Sequence, residues 1–386
     1  MKKYIILISS FCMQLCLGAT YSWSVFVAPL KSSLNITQTM AQMPFSIFYF
    51  VFPFTMIFSG FILNKIGPKR SAVIGGILFG SGWMLSYLGS QNYLFTIIGN
   101  GILAGVGAGL AYIVPISTCI KWFPKNKGLV TGFAVAGFGG GAALVSQIAG
   151  FMVKYHSPFY TLFLLGIAFT IVVVLSGLNM TNPPTYETKP SSDKLFDLSI
   201  LKNKIFLTLY FAMFAGLAAG FAVNGNLKEL YLTSTVAIGV FSVSMFAIMN
   251  AAGRIVWGTI FDRVNSSTAI IINICTQGVV LALSKFILHS DYSLVIFAAI
   301  VGFNYGGVLV LYAGTTARVW GTESMGKIYG LLFSSNIPGA VAPLFAGYIY
   351  DQYRSFNIAL LTIAIVLFVA MALVYINREG INKSIA

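Results

Sequence analysis

A single arginine lies inside a long apolar stretch of the chain. Arg254 stands in VSMFAIMNAAGRIVWGTIFD, eight residues before the next charged residue, Asp262. In a membrane-spanning helix such a charge costs about 2.5–3.5 kcal/mol on insertion scales, and it usually faces a water-filled cavity on an ion or substrate path. Arginine can hold a carboxylate through two parallel hydrogen bonds. We therefore predict that Arg254 binds an organic anion. The alternative is snorkelling towards the helix end, since eight helical residues span only about 12 Å.

Other polar side chains inside apolar stretches are candidates for the wall of the same cavity. Asn250 lies four residues before Arg254 and therefore on the same helix face. Tyr21 and Trp23 also suit an interfacial aromatic belt, and the amides suit simple bridges between helices, so both alternatives stay open. The predicted substrate-binding residues besides Arg254 are Thr20, Tyr21, Trp23, Gln42, Asn250, Tyr305 and Asn336.

The apolar stretches lack the groups that catalysis or metal binding requires. All nine Asp and Glu residues can be placed in loops or at helix ends. An intramembrane hydrolase would need a nucleophile with a base, or paired acids. The glycines at 101–109 include GxxxG spacings that favour close helix packing, and without a preceding strand or a GK[ST] sequence they predict no ATP site. The sequence predicts neither an enzyme nor a cofactor or metal.

Composition places these residues in an integral membrane protein. Of 386 residues, 58% are hydrophobic and 8% are charged, whereas soluble domains carry about 25% charged residues. Twelve apolar stretches are long enough to span a bilayer. They cover 4–30, 41–63, 71–89, 93–118, 128–152, 158–178, 204–226, 236–260, 267–288, 292–315, 328–350 and 356–376. We predict an N-terminal six-helix bundle (1–178), a cytoplasmic linker loop (179–203) and a C-terminal six-helix bundle (204–386).

The basic residues predict the orientation in the membrane. Most of the 23 Lys and Arg residues fall near the two ends of the chain or in alternate loops. Only five fall in the remaining loops: Lys31, Lys154, Lys228, Lys285 and Arg354. The positive-inside rule then predicts cytoplasmic termini in the cell membrane, and it explains the net charge of +14 without a nucleic-acid partner. The first stretch is longer than a signal-peptide core, so we interpret it as an uncleaved helix.

The two halves of the chain repeat. A shift of 198 residues superposes five pairs in one register: Ser46 on Ser244, Phe48 on Phe246, Gly60 on Gly258, Asn64 on Asp262 and Lys65 on Arg263. Parallel pseudo-symmetric halves that hold substrate between them near the bilayer midplane are a known transporter plan.

Several motifs make the chain similar to the major facilitator superfamily. GFILNKIGPKR (60–70) resembles the family's loop signature, with Asn64 in place of the usual Asp. A closer resemblance to the oxalate:formate antiporter and monocarboxylate transporter branch rests on YSWSVFVAPL (21–30), KWFP with KG (121–128), GFGGG (137–141) and NAAGRIVWG (250–258). This resemblance implies an all-α fold of twelve transmembrane helices that moves small organic anions. It also implies that Arg254 matches the family's carboxylate-binding arginine.

Two departures from the family pattern concern the substrate and its coupling. Oxalate carriers place a lysine in helix 11, where this chain offers only Asn336, and animal proton-coupled carriers have Asp where this chain has Asn250. We expect a monomeric secondary transporter of a small monocarboxylate such as lactate, pyruvate or formate, coupled to a proton or a counter-anion and surrounded by membrane lipid. The alternatives are exchange of oxalate or another dicarboxylate for formate, an anion channel, and a carboxylate sensor that transports nothing.

The loop signatures are predicted to set the conformational equilibrium rather than bind substrate. Charged groups at helix ends can meet across helix interfaces and favour one transporter state over another. In the alternative, the basic residues only orient the protein. The predicted gating residues are Asn64, Lys65, Gly67, Lys69, Arg70, Asp262 and Arg263.

Overall fold

The structure, a computed structural model, describes residues 2–123, 127–184, 198–231 and 234–383, without the side chains of 127–129, 131–132, 198–199 and 322–327. Within these ranges the chain forms helices and turns and no strand. The chain divides into two compact units, Met1–Lys189 and Pro190–Ala386. Most of the predicted linker, residues 185–197, lies outside the described residues, so its extent over 179–203 stays a prediction.

The first unit contains six membrane-length helical segments in its described part. They are α1 (Lys2–Leu17, continued by a 3₁₀ turn at Gly18–Ser22 and a helix at Ser24–Leu34), α2 (Gln38–Ile66), α3 (Pro68–Leu85), α4 (Leu94–Thr96, the π-helical Ile97–Leu103 and Ala104–Trp122), α5 (Lys127–Tyr155) and α6 (Pro158–Leu178).

The second unit has the same number of segments in its described part. They are α7 (Lys204–Asn226), α8 (Val236–Arg263), α9 (Ser266–Ala282), α10 (Asp291–Trp320), α11 (Thr322–Phe333, Asn336–Gly339 and Ala342–Tyr353) and α12 (Asn357–Ile376).

The predicted all-helical membrane architecture is confirmed. In the described chain, eleven helices are long and apolar enough to cross a bilayer. The twelfth, α9, is apolar and has 17 residues, which is the lower end of the range of about 17–25 residues for a spanning helix. Several helices run past the predicted apolar stretches, because their charged ends stay helical: α8 continues through Asp262 to Arg263.

Glycines bring the helices of the first unit into close contact. On α4, an added methyl group would lie 2.8 Å from Ile47 at Gly101, 3.0 Å from Val51 at Gly105 and 2.5 Å from Thr55 at Gly109. All three neighbours lie on α2. The close packing that the GxxxG spacing predicts is therefore confirmed, and it holds α4 against α2.

In the second unit, α8 and α10 meet backbone to backbone. A methyl group at Gly306 of α10 would collide with the carbonyl oxygen of Asn250, and one at Gly253 of α8 would collide with the carbonyl of Phe303. Only glycine permits this separation of the two helices. The contact fixes the part of α8 that carries Asn250 and Arg254.

Candidate substrate-binding site

Arg254 lies well inside a helix long enough to cross the bilayer. It precedes the end of α8 at Arg263 by nine residues, or about 14 Å. A helix of 28 residues is about 42 Å long and exceeds the roughly 30 Å hydrocarbon core by about 6 Å at each end. Arg254 therefore falls within the hydrocarbon depth, and its side chain is half-buried.

Asn250 directs the Arg254 side chain away from the nearer helix end. Arg254 Nε donates a hydrogen bond to Asn250 Oδ1 at 3.2 Å, and Asn250 lies one turn farther from Arg263. This geometry opposes the snorkelling alternative, in which the guanidinium would turn towards Arg263. The buried Nδ2 of Asn250 has no acceptor among the described residues, so hydrogen-bond donors predominate on this face of α8 and favour an anion.

The contacts of Tyr305 join this pair to two further helices of the second unit. Tyr305 precedes Gly306, the residue that packs on Asn250, and it is buried. Its ring centroid lies 5.8 Å from that of Phe246 on α8 and 5.8 Å from that of Phe221 on α7. Of the predicted site residues of this unit, Asn250 and Arg254 are thus hydrogen-bonded to each other, and Tyr305 packs on Phe246, one helical turn before Asn250.

Asn336 lies at an interruption of α11. The helix stops at Phe333 and resumes at Asn336–Gly339 and again at Ala342. Asn336 is buried, and its Nδ2 donates to the carbonyl of Phe333 at 2.7 Å. Gly339 packs on Phe221, the same ring that contacts Tyr305, so the interruption borders the same aromatic contacts. Interrupted helices frequently form binding sites in transporters.

In the first unit, α1 tightens into a 3₁₀ turn at the predicted residues Thr20 and Tyr21. The polar atoms of two candidates bind backbone there: Thr20 Oγ1 donates to Leu17 O at 2.8 Å, and Trp23 Nε1 donates to Ala41 O at 3.0 Å. Tyr93, whose pKa burial raises well above its usual value, donates to the same Ala41 carbonyl at 3.4 Å. These bonds favour a structural role for Thr20 and Trp23 in joining α1 to α2.

Tyr21 and Gln42 occupy the interior of the first unit. Tyr21 is 3% exposed, stacks on Tyr49 with ring centroids 5.6 Å apart, and meets the edge of Phe138 at 5.4 Å. Gln42 follows Ala41 on α2 and is fully buried. Such burial argues against an interfacial belt for Tyr21 and Trp23, because belt residues face the bilayer surface.

The predicted gating residues of the first unit surround the turn between α2 and α3. Asn64 and Lys65 are exposed in the last turn of α2, and Lys69 and Arg70 are exposed in the first turn of α3. Gly67 connects the helices with φ 81° and ψ 164°, a conformation open almost only to glycine. The backbone conformation of the turn therefore explains why a glycine stands at position 67.

At the corresponding turn of the second unit, Asp262 and Arg263 are exposed, and Arg318 makes the contacts. The Arg318 guanidinium donates to the carbonyls of Phe261 at 2.8 Å and Val264 at 3.1 Å, and lies 3.7 Å over the Phe261 ring. It thereby joins the end of α10 to the end of α8. In the sequence, Arg318 follows the apolar stretch 292–315, and this position by itself predicts only a charge that orients the protein.

Comparison with known proteins places this arrangement among transporters. The sequence profile of the Major Facilitator Superfamily matches residues 6–336 and 244–384. The oxalate:formate antiporter of Oxalobacter formigenes is 25% identical over 366 residues, which cover 92% of this chain and 86% of that protein. Monocarboxylate transporter 14 of Mus musculus is 21% identical, with coverage of 84% and 79%.

A solved structure shares the fold. The xylose transporter XylE from E. coli, in an inward-open conformation, matches with a TM-score of 0.75 at 12% identity, over 97% of this chain and 95% of that chain. At this identity the likeness concerns the fold alone.

Proposed function

The chain belongs to the major facilitator superfamily, and we propose that it is a secondary active transporter of small monocarboxylates such as lactate, pyruvate or formate. Membership in this family makes it a multi-pass membrane transporter and not an enzyme. The observation that carries the finer proposal is the Arg254–Asn250 pair: a guanidinium at hydrocarbon depth, held by a neutral amide.

Arg254 binds the substrate carboxylate, and Asn250 positions the guanidinium. The bond from Nε to Asn250 orients the guanidinium plane. Terminal nitrogens of arginine can then hold both oxygens of a carboxylate with parallel hydrogen bonds. Because the acceptor is an amide and not a carboxylate, the bond to Asn250 does not itself neutralise the positive charge of Arg254. Tyr305 and Asn336 are the further substrate-binding residues of the second unit, and Tyr21 and Gln42 are those of the first unit. The exposed charges at the α2–α3 and α8–α9 turns affect the equilibrium between transport states.

The relatives support a small carboxylate and suggest a second candidate, exchange of oxalate for formate. One relative is named for that exchange and another for monocarboxylates. The described side chains of α11, 328–353, include no basic residue, so no second cation from this part of α11 can balance a dianion. This favours a monoanion. We place the protein in the cell membrane with both termini cytoplasmic, from the distribution of its basic residues.

Counterflow in proteoliposomes tests the proposal. Vesicles loaded with unlabelled lactate, pyruvate or formate should take up the same labelled anion faster than empty vesicles. The reason is that an alternating carrier can return across the membrane with the unlabelled anion bound. An anion channel would show uptake without this stimulation, and a sensor would bind substrate without any uptake. Either result, in protein that is correctly inserted, would contradict the proposal.

A further inference from the structure

The second unit contains a pocket that the proposed transport mechanism does not use. It lies where α7, α9 and α11 end and α12 begins, at the opposite end of α8 from Arg263, and its volume is about 210 Å³. Two basic side chains, Lys285 and Arg354, line it. Both are exposed, and neither forms an ion pair with the residues that the structure describes.

The position of these two residues in the sequence is unusual. Only five of the 23 Lys and Arg residues fall in the loops that carry few basic residues, and Lys285 and Arg354 are two of those five. Alternate loops of membrane proteins are depleted of Lys and Arg in this way. Because two of the five line one cavity, we interpret the pair as a local functional feature.

The backbone of Arg354 is a second indication of function. Arg354 ends α11 in the left-handed conformation, with φ 54° and ψ 28°, which glycine adopts at lower cost. Its N–H donates to Tyr350 O at 2.8 Å, and the Tyr350 ring stacks on Phe356 with centroids 4.6 Å apart. These contacts keep the turn, and with it the arginine, at the pocket. A residue in a sparsely populated conformation is often there for its side chain.

The other polar groups of the lining leave a positive charge in the pocket. Glu229, the acid among the lining residues, is 6% exposed and interacts electrostatically with its chain neighbour Lys228, so its charge is offset within the protein. Ser284 also lines the pocket and is 2% exposed, and its hydroxyl has no hydrogen-bond partner among the described residues. Two cations and a hydroxyl donor suit an anionic group with several oxygens, such as a phosphate.

Exposed apolar side chains adjoin the pocket. Phe286 follows Lys285 and is 74% exposed, and Ile358 and Leu361, on the first turns of α12, are exposed as well. The ends of spanning helices lie at the level of lipid headgroups, and exposed apolar side chains beside them face acyl chains. This surface favours a phosphate that is joined to hydrocarbon over a soluble anion.

We propose that this pocket binds the phosphodiester of an anionic phospholipid such as phosphatidylglycerol. Lys285 and Arg354 pair with the phosphate oxygens, and the Ser284 hydroxyl donates a hydrogen bond to one of them. The acyl chains lie along Phe286 and the first turns of α12. An anionic lipid is favoured over a zwitterionic one, because its headgroup brings no ammonium group to the two cations. This lipid site is independent of the substrate assignment.

The first test compares two basic residues of the same group of loops. The purified full chain is titrated with phosphatidylglycerol and with phosphatidylcholine of identical acyl chains, and bound lipid is counted by native mass spectrometry. Lys285→Gln should weaken the tightest binding of phosphatidylglycerol about fivefold, as expected for one basic residue at a lipid headgroup. Lys154→Gln is the matched control, because it removes an exposed lysine outside the pocket, and it should bind like wild type. Equal effects of the two substitutions would overturn the proposal.

Arg354→Gly separates lipid binding from folding. Glycine suits φ 54°, so the variant should unfold close to the wild-type temperature in lipid-free detergent. It should lose most of the thermal stabilisation that phosphatidylglycerol gives wild type. Unchanged stabilisation by this lipid in Arg354→Gly would overturn the proposal. Displacement of the lipid by an equal concentration of glycerol phosphate would show that a soluble phosphate is the occupant and would overturn the lipid assignment.

Discussion

Arg254 and its neighbour Asn250 show how a neutral amide can hold and orient a charged group inside a membrane helix. Asn250 accepts the hydrogen bond of Nε, which offsets part of the desolvation of the guanidinium and leaves its charge in place. The described acids, Glu229, Asp262, Asp291, Asp351 and Glu379, all lie at or near helix ends. An anion that reaches Arg254 therefore meets no carboxylate within the middle of these helices.

Substitution of Arg254 tests its role directly. Arg254→Ala and Arg254→Lys should both weaken binding of the monocarboxylate, since a lysine ammonium is a point charge that cannot form the planar two-bond pair. Loss of such a pair costs roughly 2–5 kcal/mol, or about 30- to 5000-fold in affinity. Ligand-induced thermal stabilisation of the purified protein measures the change.

A variant at a basic residue outside the helix interior serves as control: Arg263→Lys should bind like wild type. Normal affinity and transport in a well-folded Arg254→Ala protein would show that another group holds the substrate.

At the scale of helices, the backbone contact between α8 and α10 positions the site. Gly306→Ala would push a methyl group into the carbonyl of Asn250. Overpacking of this kind costs about 1–3 kcal/mol, and it should also displace Arg254 and weaken substrate binding. The unfolding temperature and the affinity for substrate should therefore both fall. Gly258→Ala, on the same interface, is the control, because its methyl group would meet Val310 at an ordinary 3.5 Å; equal effects of the two substitutions would refute the packing argument.

The turns at the helix ends separate a gating role from a structural one. Asp262 is exposed, so Asp262→Asn should leave stability and substrate affinity unchanged while it alters the transport rate.

Arg318 holds the ends of α8 and α10 together. Arg318→Gln should therefore lower the free energy of unfolding by about 1–3 kcal/mol, and with it the unfolding temperature. Uptake rates, binding and thermal unfolding of both variants check this. A large loss of affinity in Asp262→Asn would contradict its assignment to the gate.

At the scale of the whole molecule, the helices were predictable and their interruptions were not. Runs of about 20 apolar residues fix spanning helices locally, so the segments around Arg254 and Gly105 could be placed from the sequence. The breaks in α1 at Gly18 and in α11 at Ser334 depend on packing with other helices. The roles of Glu229 and Arg318 also depend on tertiary structure. Their positions in the sequence predict only charges at helix ends, whereas in the structure Glu229 is buried and Arg318 binds the end of α8.

The proposed binding of the substrate to Arg254 leads to a prediction about the charge of the substrate. A monoanion that pairs with one arginine adds no net charge to the pair, whereas a dianion leaves one negative charge over. Two unit charges 4 Å apart interact by about 4 kcal/mol at an effective dielectric of 20. The lack of a basic side chain on residues 328–353 of α11 should therefore discriminate against a dianion by several kcal/mol at most. If the amide of Asn336 marks the place of such a basic side chain, Asn336→Lys should improve oxalate binding and weaken that of lactate or formate.

Competition among substrates on the wild-type protein tests the central claim most directly. Labelled substrate is bound or taken up in proteoliposomes, and lactate, pyruvate, formate and oxalate compete at equal concentrations and fixed pH. We expect that at least one of the three monocarboxylates displaces the label more strongly than oxalate does. Stronger displacement by oxalate than by all three would contradict a site built for a single carboxylate on Arg254.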